Sequence, residues 1–170
     1  MRSTYFVVIK KIVVSIIISF ILYFIISPIL GSLFAENMNV RYFVANVLVG
    51  VLYNAFLYLF YFGKRDDLYY NVDNKFSIIN ELKTYFTIEG KYIATIYAIL
   101  IVGSEIIYLI FPNSPNLIAT FCIGVFPLAR YVNIPIIRAI ICFIIAMIAV
   151  ALLVIINSFR IYKYWNNGSK

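Results

Sequence analysis

The feature that most constrains this chain is charge-free stretches, recurring along its length, each long enough to cross a bilayer. Ile12–Phe34 and Tyr42–Phe62 contain no charged residue, Tyr92–Phe111 contains one, and Leu117–Ser158 is apolar apart from a central interruption. At about 1.5 Å of rise per helical residue, some 20 residues span the ~30 Å hydrocarbon core. Across the 170 residues, 64% are hydrophobic and 12% charged, against about a half and about a quarter in soluble domains. So few charges cannot cover the surface of a soluble domain of this size, and disorder requires the opposite balance. The chain reads as an integral membrane protein. Its richness in Ile, Tyr, Asn, Phe and Lys is that of an AT-rich genome, and a bacterial cytoplasmic membrane is the expected location.

The net charge of +7 arises from 14 basic and 7 acidic residues. In a membrane protein, basic residues gather in cytoplasmic loops and meet anionic headgroups, so nucleic acid is not an expected partner. There is no histidine. That removes imidazole acid–base chemistry, imidazole metal ligands and His-activated nucleophiles. Cys122 and Cys142 lie apart in apolar surroundings and read as small hydrophobes. Nucleotide-binding loops, metalloprotease helices, carboxylate pairs within the apolar runs and internal repeats are all missing from the sequence. Neither an enzymatic activity nor a cofactor is expected, and no metal site.

The expected architecture is all-α, with four crossings over residues 12–34, 42–62, 92–111 and 136–158. The first reads as a retained signal anchor, since Leu33–Phe34–Ala35 is a poor cleavage site. Pro28 within it predicts a kink or an early helix end. Between the second and third crossings, residues 74–89 carry Phe76, Ile79, Leu82 and Phe86 at helical spacing, opposite Asn80, Glu81, Lys83 and Thr87. This spacing predicts an amphipathic helix capped by Asp73 or Asn74, stopped by Gly90 and lying in the headgroup plane. Residues 117–129 are too short to cross and read as a re-entrant or interfacial piece. A fifth crossing over 116–132 is the alternative.

Charge sets the expected orientation. With four crossings and both termini cytoplasmic, Arg2, Lys10, Lys11, Lys64, Arg65, Lys75, Lys83, Lys91, Arg160, Lys163 and Lys170 lie inside. Only Arg41, Arg130 and Arg138 lie outside, as the positive-inside rule requires. A fifth crossing would move the last three basic residues out.

Two constellations stand out. Asn46, Gly50 and Asn54 recur every four residues, marking a polar helix-packing face. Glu105 is the one carboxylate within an apolar run, and Arg138, Arg130 and Arg41 fall at its level at the outer end. A carboxylate and a guanidinium at matched depth are each costly alone in lipid and are expected to pair. The surplus positive charge there makes an anionic lipid or other anion a candidate ligand. The function expected from these features is that of a non-enzymatic accessory or assembly subunit, with a protein partner or second copy alongside the lipid bilayer. The alternative is a small oligomeric transporter, or a lipid- or anion-binding protein, using the Glu105–Arg138 region.

Overall fold

The structure, a computed structural model, describes residues 2–33, 38–62, 76–111 and 132–168. The described residues are helical apart from short stretches at 76–77, 111 and 132–134, with no strand among them. Helix α1 is Arg2–Leu33 and α2 is Met38–Leu57, extended by a π-helical turn, Tyr58–Phe62. Helix α3, Ile78–Tyr85, runs through a second π-helical turn, Phe86–Gly90, directly into α4, Lys91–Ile110. Helix α5 is Pro135–Gly168. Three of these helices are long and apolar enough to cross a membrane, with spans at Tyr5–Ile26, Ile78–Ile110 and Pro135–Lys163. The apolar stretch of α2, Val47–Phe60, is shorter.

Side chains spaced three and four residues apart turn inward on every long helix. They are Val8, Ile12, Ser15 and Ser19 on α1, and Val49, Tyr53 and Leu57 on α2. On α4 they are Ile93, Tyr97, Ile101, Ser104 and Glu105, and on α5 Arg138, Cys142, Ala146, Val150 and Val154. α1 packs chiefly on α2, α4 on α5, and α1 also meets α4. The opposite faces are Ile, Leu, Val and Phe exposed to the surroundings, as in a bundle solvated by hydrocarbon.

Several expected boundaries move. The helix does not stop at Gly90: that residue has φ −57°, ordinary right-handed backbone, and the chain turns on through it into α4. A Cβ on Gly90 would lie 2.3 Å from the Phe86 ring, so the missing side chain makes room for the aromatic group. Gly90 is a packing position, and the separate headgroup-plane helix over 74–89 gives way to the first turns of one 33-residue helix. Its N-terminal residue outside the helix is Ser77, whose carbonyl accepts from the Glu81 amide at 3.0 Å. The apolar face divides. Phe76 packs on Phe159 and Tyr162, and Leu82 and Phe86 pack against the core, whereas Ile79 is 76% exposed. Ile79 lies about 120° around the helix from the buried Tyr85, outside the face that meets α5. Pro28 does not end α1, which continues to Leu33. Proline is tolerated in membrane helices because neighbouring groups re-satisfy the freed backbone. α5 extends well past Ser158, keeping Tyr162 and Lys163 helical.

The Gly90–Phe86 contact yields a sign reversal. Gly90→Ala should lower thermal stability in detergent, since the packed Phe86 ring must move. In a Phe86→Ala background the same change should raise it, because alanine then contributes only its helix propensity, about 1 kcal/mol over glycine.

Candidate functional site

Arg138 owes its position to the way α5 starts. Pro135 is the first helical residue, where its fixed φ suits the helix and its missing N–H is no loss. The Arg138 amide closes the first turn on the Ile134 carbonyl at 3.0 Å. On the adjacent helix Glu105 sits five residues before the α4 terminus, about 7.5 Å along the axis. Both side chains face the interior: Glu105 is 5% exposed and Arg138 7%.

The two form a fork. Arg138 Nε donates to both carboxylate oxygens of Glu105, at 2.9 Å to Oε1 and 3.1 Å to Oε2. Nη2 donates to Oε2 as well, completing the salt bridge, and Nη1 reaches the Val132 carbonyl at 3.4 Å. The Tyr108 ring, one turn from Glu105, lies 4.8 Å from the guanidinium carbon in a cation–π contact. Arg138 is therefore held by a carboxylate, a ring face and a backbone carbonyl from two helices and the segment before α5. Its place near the positive end of α5 is electrostatically unfavourable by itself, so the carboxylate opposite offsets an adverse helix dipole as well as a bare charge. The planar fork is specific to arginine, since an ammonium has no second donor at matching geometry.

The other polar stripe resolves differently. Gly50 is buried on α2, and the half-buried Asn54 donates from Nδ2 to the Gly50 carbonyl at 2.8 Å, within its own helix. The contact crossing from α2 to α4 is instead Tyr53 to Tyr97, hydroxyl to hydroxyl at 2.8 Å, with the two residues 0% and 1% exposed. Sequence reasoning passed over this pair. Its signal was Tyr53 midway between Val49 and Leu57 at four-residue spacing, one tyrosine among fifteen. Ser15 and Ser19 also went unnamed; their buried hydroxyls and that of Ser104 each donate to a carbonyl three or four residues earlier in the helix. Near the other end of α5, the Asn157 side-chain oxygen is buried with no hydrogen-bond donor among the described residues. Arg41 and Asn46 belong to α2, but their side chains lie outside the described residues, as do Arg130 and residues 117–129 entirely. Among the described residues no three Cys, Asp or Glu side chains group as metal ligands.

In comparisons with known proteins, no protein family, curated protein or solved structure matches this chain significantly.

Removing one partner of a buried ion pair leaves the other charge uncompensated, at a cost of about 3–5 kcal/mol. Glu105→Gln and Arg138→Leu should each lower stability in detergent, and Arg138→Lys should not restore it. The double change Glu105→Leu with Arg138→Leu should recover about 1 kcal/mol or more as coupling in a double-mutant cycle. Strictly additive losses would show that the pair contributes nothing. Asn157→Leu should behave oppositely and keep or raise the melting temperature, because it removes a buried acceptor that has no donor among the described residues.

Proposed function

We propose that this chain is a four-crossing membrane protein, with α2 as the second crossing, that serves as a non-enzymatic accessory or assembly subunit of a larger complex in a bacterial cytoplasmic membrane. The observation that carries this reading is that the charged and hydroxyl groups singled out in the spans are closed on one another or on their own helices. The Glu105 carboxylate is occupied by Arg138, Tyr53 by Tyr97, and the hydroxyls of Ser15, Ser19 and Ser104 by carbonyls of their own helices. A proton or ion path needs polar groups that exchange partners with water, and a catalytic site needs groups held ready for a substrate. The two interhelical pairs serve to hold helices together, and the serines are satisfied within their own helices. The orientation with both termini cytoplasmic rests on eleven of the fourteen basic residues then lying inside. The irregular outer segment before the last crossing, over 117–129, belongs to the same arrangement. A small oligomeric transporter working through the Glu105–Arg138 region is the competing reading, and it requires that pair to open to water.

Two measurements test the proposal. Affinity purification of the full chain in mild detergent, followed by mass spectrometry, should recover one or more membrane proteins in fixed stoichiometry with it. Proteoliposomes holding the purified chain alone should pass protons and small anions no faster than empty vesicles. Flux that disappears with Glu105→Gln would overturn the accessory reading in favour of transport. For orientation, single cysteines at Asn37 and Asn113, in a background lacking Cys122 and Cys142, should label from outside the cell. Cysteines at Asn71 and Lys170 should not, and external labelling at Lys170 would replace four crossings by five.

A further inference from the structure

We propose that the end of the bundle opposite the Glu105–Arg138 pair is a binding surface for anionic phospholipid headgroups. This goes beyond the subunit reading and does not depend on it.

The outward-facing stripes define the surface. On α5 the exposed residues Ile140, Ile144, Ile148, Leu152 and Ile156 follow one another every four positions, and the next step is the exposed Arg160. On α4 the stripe Ile110, Ile106, Val102 and Ile99 runs through Thr95 to the exposed Lys91. On α1 the stripe Ile29, Ile25, Ile21, Ile17, Val13 and Ile9 stays apolar, with the exposed Lys10 beside its end. Two stripes facing away from the core thus change from apolar to basic at one end of the bundle, and Lys10 adds a third exposed cation there. Cations that adjoin the lipid-facing surface are complementary to the surrounding headgroups.

Helix length brings these cations to the headgroups. α1 has 32 residues, the α3–α4 helix 33 and α5 34, each about 50 Å long, against ~30 Å of hydrocarbon and ~40–45 Å with headgroups included. The Glu105–Arg138 pair sits within two turns of the α4 end and the α5 start, so the excess length lies at the basic end. There, aromatic rings gather beneath the cations. Tyr5 meets Tyr92 edge-on at 4.4 Å between ring centres, and Lys91 lies 5.2 Å over the Tyr92 ring. Arg160 lies 6.0 Å over Tyr58, and Phe76 packs on Phe159 and Tyr162. Amphipathic rings with cations beside them are the side chains that settle at the headgroup level. Lys83 and Lys163 add exposed positive charge, and among the described residues Glu81 and Glu89 are the acidic ones near them.

The test uses the full chain reconstituted in phosphatidylcholine, with spin-labelled phosphatidylglycerol or phosphatidylcholine of the same acyl chain as the probe. The immobilised fraction of each label reports its retention at the protein. Phosphatidylglycerol should be retained about two- to five-fold over phosphatidylcholine at low salt, with the ratio falling towards one near 1 M NaCl. The triple change Lys83→Gln, Lys91→Gln, Lys163→Gln, at three exposed positions, should lower the ratio at low salt. Equal retention of the two lipids by the unaltered chain would overturn the proposal. So would a phosphatidylglycerol preference that the triple change leaves intact, since the anionic lipid would then be held elsewhere. The salt titration needs no variant, so poor folding of the triple change cannot rescue the idea.

Discussion

Hydrocarbon offers no water to a polar group, and the interior of this bundle is organised around that fact. Several of its polar side chains settle the problem locally. Ser15, Ser19, Asn54 and Ser104 each return a hydrogen bond to a carbonyl three or four residues earlier, which satisfies the group without binding one helix to another. Other polar contacts reach between long helices. Tyr53 meets Tyr97 between α2 and α4, and Glu105 meets Arg138 between α4 and α5. Both use α4, which thereby fixes the depth of one neighbour at Tyr97 and of the other at Glu105, two turns further along. Apolar side chains in lipid gain little from choosing a helix over an acyl chain, so contacts that must be made at one depth set the register.

The two contacts differ in kind. A hydroxyl pair can be lost at modest cost, since interhelical hydrogen bonds within membranes average about 0.6 kcal/mol. The carboxylate–guanidinium pair is poor evidence for net stability, because removing both charges from water offsets much of what their attraction returns. Its value lies in the penalty on every arrangement that separates them. A slip of α5 by one turn would leave Arg138 beside apolar side chains and Glu105 beside its own helix. Tyr108 and the Val132 carbonyl narrow the choice further by occupying other directions around the guanidinium.

At the basic end, length replaces pairing as the governing quantity. Helices of 32 to 34 residues overrun the hydrocarbon, and α3 joins α4 through a π-helical turn rather than folding away. The Phe86 ring occupies the space a side chain on Gly90 would need, and Tyr85 beside it is buried in the same core as Val150 and Val154. A segment that on its own would float amphipathically on the surface is thereby held to the α4–α5 pair.

The all-helical membrane class, the stretches that form the long helices, and the pairing of an acid with an arginine at one end were all legible in the sequence. Each follows from what lipid forbids: charge in a spanning run, an unpaired carboxylate, an unsatisfied backbone. Glu105 and Arg138 could be named because charges within apolar runs are scarce and therefore conspicuous. The tyrosine pair could not, because fifteen similar residues give no sign of which two will meet. Gly90 was misread for a related reason. Glycine ends a helix when the chain turns left-handed and continues it when a neighbour needs the space, and only the position of the Phe86 ring distinguishes the two. Local periodicity determined which residues are helical. Which face of each helix turns inward, and which polar groups bond across rather than back, was decided by the packing of helices far apart in the chain.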